Sequence, residues 1–112
     1  LLLLVLITIK SYGQKSQSVQ LANEYYNMGE VDKAKEMYQS LAKNNRNVPL
    51  IHKNYLSVMI ELNEFKDAEK YINKVLNWYP QNINYQIDKG VILVRSGQEN
   101  EANLYFNQFS VF

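Results

Sequence analysis

Ala34, Ala68 and Ala102 recur at intervals of 34 residues. That spacing constrains the fold more than any other feature of the chain. A small residue at such a period predicts one supersecondary unit used three times, each copy burying its apolar face only against its neighbours. The register places the copies at residues 15–48, 49–82 and 83–112.

The residues around each alanine say what the unit is. Five positions earlier stand Gly29, Asn63 and Gly97. A helix that must stop before a partner begins needs a residue tolerant of positive φ, and Gly followed by Asn are the best choices. Glu30, Glu64 and Gln98 come next, polar residues suited to the positive end of the second helix. Four residues beyond each alanine are Tyr38, Ile72 and Phe106, and three further on are Leu41, Val75 and Phe109. Small, large, large at spacings of four and three is one face of a helix. The alanine marks the closest crossing of the paired helices.

The first helices carry a matching inward stripe, expected from Leu21, Ala22 and Tyr25, then Tyr55, Leu56 and Met59, then Gly90, Leu93 and Val94. Pro49 suits a first turn, where a missing N–H costs nothing. Pro80 drives Tyr79 out of the helical region, and Asn82 caps the helix that follows. The expected helices are 15–28, 31–45, 49–62, 65–79, 83–96 and 99–112. No stretch alternates as a half-buried strand would. The predicted class is all-α, built of antiparallel helix–turn–helix pairs.

These positions resemble the tetratricopeptide repeat. The first copy matches at Leu21, Tyr25, Gly29, Ala34 and Tyr38, the second at Leu56 loosely and then Ala68 and Pro80, the third at Gly90, Gly97, Ala102 and Phe106. Ser18, His52 and Gln86 replace the aromatic that opens the family's first helix, Lys89 stands where Leu is usual, and Arg46 where a Pro is usual. The resemblance implies a right-handed superhelical solenoid whose first helices line a concave groove for a peptide or partner protein. The implied partner-binding residues are Asn23, Tyr26, Asn27, Lys53, Asn54, Ser57, Ile60 and Arg95. Val19, Glu61, Asn84, Ile87, Asp88, Val91 and Val94 complete the lining. Some family members clamp a chaperone's C-terminal carboxylate with two Asn and three basic residues. Asn23 and Asn54 match the Asn pair, but Val19, Asn84 and Asp88 occupy the basic positions, so the charge needed to hold a carboxylate is missing.

Twelve basic and eleven acidic residues leave a net charge of +1 with no basic stripe, which argues against a nucleic-acid partner. The absence of cysteine excludes disulfides, thiol nucleophiles and cysteine–zinc sites. His52 is the only histidine, and no second base or metal ligand stands at a telling spacing. Glu61, Glu64 and Asp67 read as surface and helix-start charges. No glycine-rich phosphate loop occurs, and no cofactor is implied. The chain reads as a binding scaffold rather than an enzyme. The alternative is the repeat region of a larger envelope enzyme or sensor, such as a histidine kinase, whose catalytic domain lies beyond Phe112. Tyr105, Phe109 and Phe112 suggest self-association as a further expectation.

Leu1 to Ile9 form an unbroken apolar run, followed by Ser11 and Gly13 as small residues at −3 and −1 of a cleavage point before Gln14. Nine residues are too few to span a membrane, which takes about 20, but they fit the apolar middle of a secretory signal peptide. Residues 1–13 are therefore expected to be a signal remnant, which predicts export to the periplasm or outer membrane of a bacterial envelope. A start at Leu rather than Met, and an end within the last expected helix, suggest a fragment of a longer protein.

Overall fold

A computed structural model of the chain describes residues 17–109. Residues 1–13, expected to be a signal remnant, and Phe112 lie outside the described residues. Helix α1 occupies residues 17–27. It is followed by α2 (Val31–Leu41), a short 3-10 turn (Asn45–Asn47), α3 (Val48–Glu61), α4 (Phe65–Trp78), α5 (Ile83–Arg95) and α6 (Glu99–Asn107). The described residues contain no strand. The all-α helical-repeat class follows, and each helix lies where the register puts one.

The turns are the same device made three times. Gly29, Asn63 and Gly97 have φ of 78°, 56° and 82°. At each, the next residue's N–H reaches back five positions: Glu30 to the Tyr25 carbonyl at 2.9 Å, Glu64 to Met59 at 2.8 Å, Gln98 to Leu93 at 2.9 Å. The turn residue itself donates to Tyr26, Ile60 and Val94 respectively, at 3.1, 3.0 and 3.1 Å. This pair of bonds is the Schellman stop, which satisfies orphan carbonyls and needs a left-handed residue at its corner. The following helix starts at once. The carbonyls of Glu30, Glu64 and Gln98 accept from Ala34, Ala68 and Ala102 at 3.0, 3.0 and 2.9 Å. The side chains of those three N-cap residues make no cap hydrogen bond. Their contribution is charge or polarity beside the helix dipole rather than capping.

Helix α2 ends at Leu41, four residues before the expected end at 45. The cause is the Asn-rich segment that follows. The Asn44 side chain accepts from the Arg46 N–H at 3.0 Å and starts the 3-10 turn, while Asn47 Nδ2 donates to the Leu41 carbonyl at 3.0 Å. Asn side chains compete with the helix for backbone groups, and here they win. Tyr79 leaves the helical region at φ −129° and ψ 64°, and Asn82 caps α5 by accepting from Tyr85 N–H at 3.0 Å.

The chain divides into two compact units, residues 1–58 and 59–112. In the first, Ala22, Ala34, Tyr38, Val48 and Val58 are wholly buried. In the second, Met59, Ala68, Ile72, Val75 and Ile92 are wholly buried and Ala102 nearly so. All three register alanines therefore sit in a core. Leu21 and Val94, expected in the inward stripe, are 42% and 50% exposed. Leu21 shares its register position with buried Tyr55, but no described helix precedes α1 to cover it. Val94 lies one residue past the buried pair Ile92 and Leu93, which turns it about 100° from Leu93 and about 160° from Ile92.

Helices α5 and α6 come into close contact at Gly90. A Cβ built there would fall among the ring atoms of Phe106, with Cε1 at 2.5 Å, Cε2 at 2.7 Å and Cζ closer still. Gly90 thus forms the cradle that lets α6 lay an aromatic ring against the α5 backbone.

Candidate functional site

The site residues are best followed unit by unit. In the first, Tyr38 rises from α2 and is wholly buried. A buried hydroxyl must find a partner. Tyr38 Oη donates to Asn23 Oδ1 of α1 at 2.5 Å, and Asn54 Nδ2 of α3 donates to Asn23 Oδ1 at 3.2 Å and to Tyr38 Oη at 3.3 Å. One small polar knot therefore ties three helices together. Asn23 Oδ1 receives two hydrogen bonds, which uses both its lone pairs and leaves its amide group as the donor side. The Tyr38 ring also lies 5.9 Å from that of Tyr55, tilted by 39°. Burial raises the Tyr38 pKa above 10.0, with the Asn54 hydrogen bond opposing the rise and Tyr26 adding to it.

Around this knot, Tyr26 and Ser57 are half-buried, while Asn27 and Lys53 are exposed. The structure thus brings Asn23 and Asn54 into contact. It leaves Asn27 and Lys53 facing solvent on the helices that carry the two asparagines. In the second unit, Ile60 is half-buried and Arg95 is exposed at the end of α5. Sequence reasoning took Tyr38 as a core aromatic and missed its hydroxyl. The available signal was that Ile72 and Phe106 hold the same register position without one.

Two clefts lie elsewhere. One of about 500 Å³ is lined by Phe65, Lys66, Asp67, Glu69, Ser96 and Gln98. A smaller one of about 300 Å³ is lined by Ser18, Glu36, Met37, Ser40 and Leu41. In the first, Gln98 Nε2 donates to Ser96 Oγ at 2.9 Å and to Glu69 Oε2 at 3.4 Å, which links the α5–α6 turn to α4. None of the expected partner-binding residues lines either cleft.

Among the described residues, no group of three or more His, Asp or Glu side chains converges to hold a metal ion. His52 is 8% exposed within α3. Four of the nine tyrosines serve packing. Tyr38, Tyr55, Tyr71 and Tyr85 are all buried. Trp78 and Tyr105 instead carry the ammonium groups of Lys74 and Lys89, 5.2 and 5.3 Å from their ring centroids. No described helix is long and apolar enough to cross a membrane.

Residues 19–47 match the family model of the tetratricopeptide repeat. That span runs from the first turns of α1 through α2 to the 3-10 turn, so it covers the first helix pair and its Schellman stop. The match supports a tetratricopeptide repeat protein, and the stop recurs at Asn63 and Gly97. Such repeats generally mediate protein–protein interaction and are typically non-catalytic scaffolds. No curated protein and no solved structure is significantly similar to the chain.

Proposed function

We infer that the chain is an interaction scaffold that binds a peptide or partner protein along the exposed faces of its first helices. The observation that carries this reading is the tetratricopeptide match over residues 19–47. The polar knot supports it physically. Asn23, Tyr38 and Asn54 hold α1, α2 and α3 in one arrangement, so Asn27 and Lys53 project from a pre-ordered surface. Pre-ordering lowers the entropy cost of binding. The mixed amide, hydroxyl and ammonium groups suit hydrogen bonding to a peptide backbone more than recognition of a single strong charge.

The test is site-specific photo-crosslinking in cells that produce the chain. Crosslinkers at Asn27 and Lys53 should trap one protein that a crosslinker at Lys43, on the turn after α2, does not. Identical products from all three positions would sink the assignment.

The apolar run Leu1–Ile9 with Ser11 and Gly13 supports an exported protein that works in the periplasm or at the outer membrane. Intact mass measurement of the protein from its native cell decides this. Export with cleavage predicts a mature chain beginning at Gln14, and retention of Leu1 excludes cleavage.

A further inference from the structure

Helix α4 turns a basic side to solvent. Its inner side carries Ala68, Tyr71, Ile72 and Val75, all buried. Lys66, Lys70 and Lys74, all exposed, follow one another at spacings of four on the outer side. Trp78, half-buried, stands four residues further on, and the Lys74 ammonium lies 5.2 Å from its ring centroid. The stripe from Lys66 to Trp78 runs for about 18 Å at 1.5 Å per residue. Neither Lys66 nor Lys70 has an ion-pair partner among the described residues. Asp67 flanks the stripe, whereas Glu69 is turned to the α5–α6 connection and accepts from Gln98 Nε2 at 3.4 Å. All of these residues belong to the second unit.

The stripe is a property of the second copy alone. In register with Lys66, Lys70 and Lys74 stand Asp32, Glu36 and Ser40 in the first copy, and Asn100, Leu104 and Gln108 in the third. A near balance of 12 basic and 11 acidic residues therefore conceals one concentrated positive face. Like charges one turn apart repel and destabilise the helix that carries them. An anionic surface laid along the stripe reverses that cost.

We propose that α4 rests on an anionic lipid surface, its lysines among the headgroups and Trp78 at their level. This surface is separate from the first-helix face that carries the peptide-binding reading. Lysine stems are long enough to reach the headgroups while the ammonium groups stay in water. Near an anionic bilayer each lysine raises partitioning about fivefold, so three give on the order of 100-fold. An indole is apolar in its body and polar at its N–H, which suits the same depth. The apolar side of α4 is closed into the core, so the helix lies on the bilayer and does not enter it. Magnitude argues against an acidic peptide. Exposed ion pairs with a peptide contribute less per lysine, and the peptide must also be ordered along the stripe. A nucleic acid is disfavoured because its binders neutralise about six to ten phosphates, and the stripe offers three ammonium groups.

The test is sedimentation of the full chain with vesicles of phosphatidylcholine alone and of phosphatidylcholine with one-third phosphatidylglycerol. Two variants share one net charge: Lys66→Gln/Lys70→Gln on the stripe, and Lys43→Gln/Arg46→Gln on the turn after α2. All four positions are exposed, so both variants should keep the parent's circular dichroism melt. The parent should bind the anionic vesicles and not the neutral ones. The stripe variant should bind them on the order of 25-fold less, at about fivefold per lysine, and the control variant less than about twofold less. Trp78 is the only tryptophan, so its emission reads the end of the stripe and should move to shorter wavelength on the anionic vesicles. Equal losses in the two variants, or binding that leaves Trp78 emission unchanged, would overturn the proposal. So would a parent that sediments with neither vesicle. Retention on immobilised polyglutamate or single-stranded DNA, lost in the stripe variant while vesicles stay unbound, would assign the stripe to a soluble polyanion instead.

Discussion

Replacing Gly90 by alanine tests the packing of the second unit most directly, because two opposing effects act at one atom. In an unobstructed helix interior, Gly→Ala stabilises by about 1 kcal/mol, since glycine loses more backbone freedom on folding. At Gly90 the new methyl would sit 2.5 and 2.7 Å from two Phe106 ring carbons and nearer still to a third. Ordinary carbon contacts are about 3.5–4.0 Å. With three atoms at the far end of the ring inside that limit, the ring must move out of its cradle. Phe106 is 37% exposed, so about two-thirds of its surface is buried. Removing a fully buried phenylalanine costs about 3–5 kcal/mol, and expelling a ring buried to this extent costs about 2–3 kcal/mol. After the helix gain, Gly90→Ala should destabilise by about 1–2 kcal/mol. For a domain of this size the melting temperature should fall by roughly 5–15 °C. The assay is a thermal melt of four proteins: the parent, Gly90→Ala, Phe106→Ala and the double variant. With the ring gone, the alanine should turn stabilising by up to about 1 kcal/mol, so the cycle should give a coupling of about 2–3 kcal/mol. A Gly90→Ala variant that melts higher than the parent, or equal effects in both backgrounds, would refute the cradle.

Ala68 is wholly buried, and Ala68→Leu should cost about 1–3 kcal/mol through overpacking; an unchanged melting curve would remove the helix crossing from that position. A Cβ at Gly29 or Gly97 would meet nothing within 4 Å, so Gly29→Ala and Gly97→Ala isolate the backbone cost of positive φ, expected at about 1–2 kcal/mol each. Asn63→Gly should act oppositely and raise the melting temperature slightly, since φ of 56° is easier for glycine. Tyr38→Phe removes the hydroxyl that bonds Asn23 and should cost about 0.5–1.5 kcal/mol, read from chemical denaturation. Burial raises the pKa of Tyr38, Tyr85 and Tyr105 above 10.0, so folding favours their neutral form. Their contribution is complete below pH 10 and is lost as pH climbs through the raised values. Melting temperature should therefore drop from pH 10 upward, and less steeply in Tyr38→Phe; a flat profile to pH 11.5 would contradict the burial.

Local sequence determined the repeat and its punctuation. Positive φ at residues 29, 63 and 97 was legible because few residues tolerate it, and the burial of Ala34, Ala68 and Ala102 because a constant small residue at a fixed period has few other causes. The caps at Tyr79 and Asn82 were legible for the same reason: proline and asparagine act on adjacent backbone. The early end of α2 was not, because it depends on Asn44 and Asn47 bonding to particular backbone groups that a helical pattern does not display. The Tyr38 knot was also hidden. Asn23, Tyr38 and Asn54 are separated by 15 and 16 residues, and only packing of α1, α2 and α3 decides that their polar atoms meet. The sequence reads Ile87, Val91 and Val94 as groove lining, though the same spacing would suit a buried face. Their periodicity suits either, since a helix with apolar residues on two sides does not say which side is inward. Tertiary structure made that choice by closing Tyr85, Ile92 and Leu93 into the core and leaving the other stripe in water. Sequence by itself determined where the first helix of each pair stops and which small residue marks the crossing, because those are one-residue backbone constraints. Which apolar and polar groups were left to meet a partner was decided by the fold, because exposure belongs to a packed surface.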